Sequence, residues 1–526
     1  MKQFVFEQKQ KNVFIGLMII GLVSMFWTFT HDDGAHTRFW TNFIQNAAFF
    51  TGIGFIATFA IAASIMTYSG WYTAFKRVWE SISLFLIVGI VLMGIVFFSA
   101  WGHLNDIYHW ANPALVKGDK ILIGKSSFLN LGWYAAATFG FISVWYLFAR
   151  KFRAFSLEQD KSPKDITYPF YTKAKVWGAA FLPIGAFTSA AAIWQWLMSI
   201  DAHWYSTMFA WYTTASWFVS MIAITILLLI YFKSKGYFHQ VTIEHLHDLG
   251  KFLFAFSIFW TYLWFSQYML IWYANIGEET IYFKQRMGEF PALFYGNLLM
   301  NFVLPFLILM RNDTKRKFGS LGFAAALVLF GHWIDFFQMV KVGPCEYAHL
   351  AHIGSSIPGA GEPISQAAMK EGEGHAVKTA AHVAETAGVA VSKVAVPAAK
   401  HGAEGTMTTA AKTDAAAAAP VAEGAAKAVA KVAEVTGTEG ATKEAAKGAE
   451  EVTDILQAGN YFHYYPSTTA GFAFPSIPEF GTLCFFVGLF LYFVFNQLTK
   501  ASLVPENDAF LEETLHHHVE IHGEAH

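Results

Sequence analysis

The chain has 526 residues, of which 55% are hydrophobic, 17% aromatic and only 14% charged. Soluble domains carry roughly 25% charged residues, so this composition excludes an ordinary soluble protein and predicts a polytopic membrane protein. The formal net charge of −2 is close to neutral and gives no reason to expect a nucleic-acid partner.

Ten apolar runs are long enough to cross the ~30 Å hydrocarbon layer of a membrane, which takes about 20 residues in a helix. In chain order they lie near residues 12–30, 46–68, 82–102, 129–149, 176–199, 209–232, 251–273, 290–310, 319–339 and 478–498. The sequence therefore predicts an all-α integral membrane protein with ten transmembrane helices. Lys9 and Lys11 precede the first run and no small-residue cleavage site follows it, so we expect this helix to be retained as an anchor.

The distribution of Lys and Arg predicts which way the helices point. Loops on the side of the N-terminus hold 20 of these residues, and the short loops on the opposite side hold 7. By the positive-inside rule, this bias places both termini in the cytoplasm. The opposite loops then face the periplasm or its equivalent.

A weak internal repeat groups the helices. Two short patterns each occur twice, four helices apart, at predicted helix ends. An Ile-Asp pair occurs at Ile200-Asp201 and at Ile334-Asp335, and a Trp followed by an Asn occurs at Trp101…Asn105 and at Trp272…Asn275. The repeat predicts two related four-helix bundles, helices 2–5 and helices 6–9, flanked by helices 1 and 10.

The chain divides into four predicted regions. Residues 1–344 form a nine-helix membrane domain, and residues 345–460 are low in complexity and dominated by Ala, with Lys, Glu, Gly, Thr and Val. Such a segment buries too little apolar surface to order itself, so we expect a periplasmic linker, with a docking arm as the alternative. Residues 461–498 form a re-entry segment and the tenth helix, and 499–526 form a cytoplasmic His-rich tail.

Polar groups at the outward helix ends are the main functional signal. Four helices carry them, in the groups His103/Asp106/His109, Gln195/Asp201/His203, Gln267/Glu278/Glu279 and His332/Asp335/Gln338. Ionisable groups within or beside lipid-spanning segments are costly unless they are buried in protein or in water-filled space, and they often mark a proton or substrate path.

Asp201 and His203 lie in a tight turn between the fifth and sixth predicted helices, close to Gln195. One interpretation is an interfacial turn anchored by Trp and Tyr. The other is an acid and imidazole pair that takes protons from a reduced quinol, since His accepts and carboxylates relay protons near neutral pH. Gln195 would line the same quinone pocket or proton path.

His332, Asp335 and Gln338 follow an i, i+3, i+6 spacing in the outer half of an apolar helix, which places them along one side of it. They form either a buried structural pair or a step in a proton path.

His103 and Asp106 belong to a group with the same spacing just beyond the third helix. Metal ligands are conceivable there, but an exposed loop is the simpler interpretation.

Metal and haem sites are not expected in this chain. Cys345 and Cys484 are far apart in sequence, and no CxxC or CxxCH motif occurs, so covalent haem c, iron–sulfur clusters and thiolate zinc are not predicted. His245 and His247 are spaced i, i+2, unlike the i, i+4 pairs of helical zinc sites. His332 is the only histidine well inside an apolar run, which argues against a bis-histidine haem b.

One long motif resembles a known family. The segment His245–Thr280 (HLHDLGKFLFAFSIFWTYLWFSQYMLIWYANIGEET) closely resembles the second of the two large membrane subunits of bacterial Alternative Complex III, a quinol:cytochrome c oxidoreductase whose membrane subunits belong to the polysulfide-reductase/NrfD-like family. Further similar pieces are Trp196–Phe209, Asn105–Pro113 and Pro305–Pro344. The likeness covers roughly residues 10–344 and the last helix.

The resemblance implies a ten-helix subunit of the bacterial inner membrane with two four-helix bundles. It implies partners: multihaem and monohaem cytochrome c subunits that carry haem c, an iron–sulfur subunit that carries the clusters, a sister NrfD-like membrane subunit, and lipids. It also implies that this chain has no redox cofactor and is not catalytic alone. A quinone such as menaquinone is the implied ligand, although the sister subunit is the stronger candidate for the productive site.

Three functions stay open. The chain is a quinone-binding or proton-conducting subunit of an electron-transfer complex, a scaffold that only assembles that complex, or a secondary transporter. Transporters use broken helices near the membrane midplane, whereas Pro183, Pro291 and Pro305 lie near predicted helix ends, so the transporter is the least favoured.

Overall fold

The computed structural model describes residues 3–32, 36–105, 107–116, 119–162, 167–288, 290–355 and 474–517. Within these ranges the protein is helical without strands, and ten helices are long and apolar enough to cross a membrane. The predicted fold class is confirmed: the chain is a multi-pass, all-α membrane protein.

We number the membrane-crossing segments as spans 1 to 10. In chain order they are Gln8–Thr30, Thr37–Met66, Thr73–Trp101, Leu131–Lys161, Pro169–Trp196, Thr207–Ser234, Ile243–Ala274, Pro291–Leu309, Phe318–Gly343 and Ile477–Leu498. Short helices in the connections are Pro113–Val116, Lys120–Lys125, Gly277–Gly288 and Asn312–Arg316, with 3₁₀ turns at His109–Ala111 and Met198–Asp201, and the helix Leu511–Leu515 follows span 10.

The chain divides into two compact units, residues 1–344 with 467–526 and residues 345–466. The helix that contains span 9 is Phe318–Ser355. The rest of the predicted linker (356–460), the predicted re-entry segment before span 10 (461–473) and the end of the His-rich tail (518–526) lie outside the described residues. These three predictions therefore stay predictions.

Local sequence explains where several spans begin. Thr242 and His245 form a reciprocal capping box at the start of span 7, and Ser476 and Glu479 do the same at the start of span 10. Such pairs satisfy backbone N–H groups that a helix start leaves without partners. At the other end of span 7, Asn275 adopts the left-handed conformation (φ 49°) that commonly ends a helix.

Spans 2–5 form the first bundle, and spans 6–9 form the second. In the first, Phe55 of span 2 packs on Trp145 of span 4 with ring centres 4.3 Å apart, and the Trp145 indole donates a 2.8 Å hydrogen bond to Thr188 of span 5. In the second, Phe218 of span 6 stacks on Phe256 of span 7 at 4.0 Å.

The two bundles meet through spans 2, 6 and 9. A Cβ at residue 52 would lie 1.8 Å from Cε2 of Trp217, so only glycine fits there. The indole of Trp333 donates a 3.0 Å hydrogen bond to Asn46, and Gln45 donates one of 3.1 Å to the carbonyl of Trp333. These contacts hold span 9 against span 2.

Spans 1 and 10, which flank the bundles in sequence, pack against each other. A Cβ at residue 21 would lie 2.4 Å from the backbone nitrogen of Phe485, and one at residue 488 would lie 2.7 Å from the carbonyl oxygen of Phe14. Small residues let two helices approach closely in a membrane. The flanking helices therefore form a close pair rather than two separate edges.

Glu479 joins this pair to both bundles. Its fully buried carboxylate accepts hydrogen bonds from Arg38 at 2.8 Å and from Asn42 at 3.1 Å, both in span 2. Lys341, near the end of span 9, lies 3.4 Å away. Because a buried charge is costly unless it is paired, these contacts require spans 2, 9 and 10 to meet here.

We call the membrane side with the span 5–6 turn (residues 197–206) the hairpin end, and the side with residues 499–517 the tail end. At the tail end of the first bundle, buried ion pairs join spans 3 and 4 to the chain after span 10. The pairs are Arg77–Glu80 (2.7 Å), Arg77–Asp160, Arg153–Glu80 (3.5 Å) and Lys76–Asp508 (2.8 Å).

The structure supports the repeat and corrects one of its signals. Spans 4 and 8, each the third helix of its bundle, both contain a π-helical segment, Ala136–Phe141 and Leu299–Val303. However, the two Ile-Asp pairs are not equivalent. Asp201 follows the end of span 5, whereas Asp335 lies inside span 9, whose helix continues beyond it. Ile334-Asp335 therefore does not close the ninth helix.

Candidate functional site

Asp335 lies at the centre of the second bundle, in the half nearer the hairpin end, and its side chain is fully buried. Its carboxylate accepts hydrogen bonds from the Tyr212 hydroxyl, from the Asn297 amide at 2.6 Å and from the Trp260 indole at 3.2 Å. A fourth comes from the hydroxyl of Ser216 at 3.2 Å. Spans 6, 7 and 8 thus all donate to one carboxylate on span 9.

His332 lies one turn before Asp335 and is also fully buried. Its Nδ1 is 2.8 Å from the Ser216 hydroxyl and 4.0 Å from Oδ2 of Asp335. Because a hydroxyl carries one proton, Ser216 donates to Asp335 only while it accepts from Nδ1–H of His332. Nε2 of His332 is then the basic nitrogen, and it has no hydrogen-bond partner among the described residues. The three side chains can therefore pass a proton between imidazole and carboxylate.

A narrow cavity of about 10 Å³ adjoins Asp335, which is room for about one water molecule. Half of its lining residues are aromatic, and polar groups converge on it from four segments. The lining residues are Tyr212, Trp264, Gln267, Tyr282, Phe283, Arg286, Phe294, Asp335, Gln338 and Met339.

Two amides on this cavity have unused hydrogen-bonding capacity. The side-chain nitrogens of Gln267 and Gln338 are buried and have no hydrogen-bond partner within the described ranges. Nε of Arg286 is also buried and has no hydrogen-bond partner among the described residues. Buried polar groups without partners are costly, so the cavity wall can bind a small polar molecule or the carbonyl edge of a ring.

Arg286 and Tyr282 close the cavity towards the hairpin end. Arg286 donates a 2.9 Å hydrogen bond to Asp201, and its guanidinium lies 3.3 Å from the centre of the Tyr282 ring. Tyr282 stacks on Trp204 with ring centres 3.8 Å apart. Burial raises the pKa of Tyr282 well above its ordinary value, so its hydroxyl stays protonated. Helix Gly277–Gly288 is thus held to the 197–206 turn at two points.

His203 belongs to a different pair from Asp201. Its Nε2 lies 2.6 Å from the carboxylate of Asp119. Burial alone would raise the pKa of Asp119, but the hydrogen bonds from His203 and from backbone N–H groups outweigh it and lower that pKa. His109 is close by, and burial, with the charge of His203, lowers its pKa to about 4. Asp201 and His203 are neighbours in sequence that serve separate contacts.

The other predicted site residues lie away from the cavity. Gln195 donates a 2.7 Å hydrogen bond to the carbonyl of Phe128, and its own oxygen is buried without a partner in the described part of the chain. His103 is exposed, with a left-handed backbone (φ 51°). Asp106 and the side chain of Glu278 lie outside the described residues.

Three of the four sequence groups contribute to the cavity or its rim. Asp335, Gln338 and Gln267 line the cavity, His332 is linked to Asp335 through Ser216, and Asp201 contacts the lining residue Arg286. Sequence reasoning missed Arg286, Tyr212, Asn297 and Asp119. An arginine only a few residues from the outward acids was an available signal. Asn297, a polar residue inside the predicted run 290–310, was a second signal. Tyr212 gave none, since tyrosine is common near membrane surfaces.

Within the described ranges, no group of three or more His, Cys, Asp or Glu side chains could hold a metal ion. The expectation that the chain carries no metal or haem stays a prediction, because part of the sequence lies outside those ranges.

No known protein-family model matches the chain. No curated protein matches it either.

Proposed function

We propose that the chain is the membrane subunit of a bacterial quinol:cytochrome c oxidoreductase, of the NrfD-like kind, and that Asp335 handles protons released by quinol oxidation. Both termini lie in the cytoplasm and the hairpin end faces the periplasm. Multihaem and monohaem cytochrome c subunits, an iron–sulfur subunit and a sister membrane subunit carry out electron transfer, and the present chain supplies no redox centre.

The observation that carries the proposal is the environment of Asp335. A fully buried carboxylate inside a membrane-spanning helix is expensive and is usually functional. Here it is hydrogen-bonded to a serine that also contacts His332, and it borders a cavity with unpaired amides. A quinol gives up two protons when it is oxidised, and an imidazole linked to a carboxylate can accept and relay them.

The route away from the cavity runs to the hairpin end. Gln338 lies one turn further along span 9, and Arg286 and Asp201 follow at the rim. Trp264, Phe283 and Phe294 give the cavity flat apolar walls suited to an aromatic ring. Because the cavity has room for about one water molecule, it must widen before it can admit a quinone ring.

The test replaces Asp335 with Asn and, separately, His332 with Gln in the assembled complex. Quinol:acceptor turnover and proton release are measured, and the control is Asp313→Asn, whose side chain is 67% exposed in the short helix Asn312–Arg316. We expect both site variants to lose about 10²-fold in turnover while they still assemble. Normal turnover and normal proton release in both variants would reject the proton-handling role.

A second candidate is a scaffold that only assembles the same complex. It is favoured by the small size of the cavity and by the completeness of the contacts to Asp335, which has four donors in place. If the chain is only a scaffold, Asp335→Asn should lower the yield of assembled complex and the total turnover by the same factor. Activity per assembled complex separates the two candidates.

A further inference from the structure

A cluster of basic side chains lies at the tail end of the second bundle, on the membrane face opposite the Asp335 cavity. It is built by the start of span 7 and by helix Asn312–Arg316, which joins spans 8 and 9. We call it the basic cluster; its members are His247, Lys251, Lys315 and Arg316.

Lys315 is only 5% exposed, which is unusual for a lysine. Its ammonium donates a 3.0 Å hydrogen bond to the carbonyl of Leu309, and no ion pair joins it to a carboxylate of the described residues. Burial lowers the pKa of Lys315, and the positive charge of Lys251 lowers it further. Lys251 is paired with Asp248, so the ammonium of Lys315 is the charge that an additional anion would compensate.

His247 and Arg316 present unused donors in the same place. His247 is 4% exposed, and neither ring nitrogen has a hydrogen-bond partner within the described residues; the nearest carboxylate oxygen, on Glu244, is 3.8 Å away. Arg316 donates a 3.0 Å hydrogen bond to Glu244, but its Nε is buried without a partner. Buried donors without hydrogen-bond partners fit a ligand that is rich in acceptor oxygens.

An apolar cleft of about 330 Å³ begins beside the basic cluster. It is lined by Trp71, Asp248, Lys251, Phe252 and Ala255. The rings of Trp71 and Phe252 stack with centres 5.2 Å apart. Asp248 is already neutralised by Lys251 at 2.5 Å and by His517 at 2.6 Å. Lys251 thus belongs to the basic cluster and also lines the largely apolar cleft, and its side chain is 48% exposed.

We propose that the basic cluster binds the phosphate of an anionic phospholipid and that the cleft takes part of its acyl chains. Phosphate oxygens match the donors of His247 and Arg316 and the charges of Lys251 and Lys315, and basic pockets between helices at a membrane surface bind such headgroups. A lipid fits better than free phosphate because Phe252 and Ala255 continue the site along apolar surface at lipid depth. The site lies apart from the Asp335 cavity and does not depend on the function proposed for it.

The test measures lipid affinity of the purified full chain in detergent by native mass spectrometry, with phosphatidylglycerol, phosphatidylcholine and inorganic phosphate as probes. We expect phosphatidylglycerol to bind at least tenfold more tightly than phosphatidylcholine. Lys251→Gln should weaken phosphatidylglycerol binding about fivefold, since one basic group near a membrane surface contributes about that factor. Lys251→Gln with Arg316→Gln should weaken it more than tenfold.

The matched control is Arg311→Gln, because Arg311 lies beside the same connection with a side chain that is 74% exposed. It should leave lipid binding unchanged. Equal affinity for the two lipids, or an unchanged affinity in Lys251→Gln, would overturn the proposal. Displacement of phosphatidylglycerol by millimolar inorganic phosphate would instead assign the site to free phosphate and also overturn it. If the double variant unfolds, the phosphatidylglycerol affinity of the single variant Lys251→Gln decides the test, because Lys251 is half-exposed.

Discussion

Arg286 donates a 2.9 Å hydrogen bond to Oδ2 of Asp201, and this contact ties the helix after span 7 to the turn between spans 5 and 6. The Arg286 side chain is 3% exposed and that of Asp201 is 15% exposed, so the pair is largely shielded from water. The contact links the two bundles at the hairpin end, directly over the cavity beside Asp335.

We expect a double-mutant cycle of Arg286→Ala and Asp201→Ala to give a coupling energy of about 1–3 kcal/mol, because each single variant leaves a shielded charge unpaired. The measurement is unfolding of the detergent-solubilised protein. Arg311 and Asp313 form the control pair, with side chains 74% and 67% exposed. Exposed pairs contribute little, so equal coupling in the two cycles would contradict the prediction.

Asn297→Leu should lower the free energy of unfolding by about 1–3 kcal/mol, because it removes the 2.6 Å hydrogen bond to Asp335 and leaves that acceptor under-satisfied in a buried site. Tyr295→Phe is the control on the same helix, since Tyr295 is 52% exposed. The measurement is the thermal unfolding temperature in detergent. Equal temperatures for the two variants would argue that Asn297 adds nothing to the site.

His109 should make stability depend on pH. Its pKa is lowered to about 4 in the folded protein by burial and by the charge of His203, whereas an unfolded histidine titrates near 6.5. Between these values the unfolded chain binds more protons, so stability falls as the pH drops from about 6.5 to about 4.

His109→Asn should flatten the dependence of unfolding temperature on pH between about 4 and 6.5. The control is His103→Asn, because His103 is exposed and asparagine tolerates its left-handed backbone. An equally steep profile in the His109 variant would show that burial of this imidazole does not govern acid sensitivity.

Gly21→Ala should weaken the pairing of spans 1 and 10. The added Cβ would lie 2.4 Å from the backbone nitrogen of Phe485 and 2.6 Å from its Cα, so the helices must separate. Overpacking of this kind costs about 1–3 kcal/mol. Gly16→Ala on the same helix is the control, because nothing lies within 4 Å of a Cβ there. Crosslinking between cysteines placed in spans 1 and 10 reports the pairing.

Hydropathy alone was enough to predict the ten spans, because a long apolar segment satisfies its backbone hydrogen bonds in lipid by forming a helix. The groups around Gln267 and Asp335 were also found from sequence, since polar residues stand out in apolar runs. That both groups line one cavity could not be predicted, because packing across the bundle determines how each helix is rotated and which helices are adjacent.

The division of Asp201 from His203 shows a second limit. The two residues are close in sequence, so a single pair was the simplest expectation. Their partners, Arg286 and Asp119, come from connections far away along the chain. Short-range spacing carries no information on such contacts in an irregular turn.

The close pairing of spans 1 and 10 sets an order on biogenesis. Span 1 enters the membrane before any other segment described here, yet the helix that covers Gly21 is translated more than 400 residues later. Until then the surface of span 1 around Gly21 has lipid or the insertion machinery as its neighbour. The pairing therefore forms only after span 10 has been made, and a ribosome that stalls within residues 345–466 leaves span 1 without span 10.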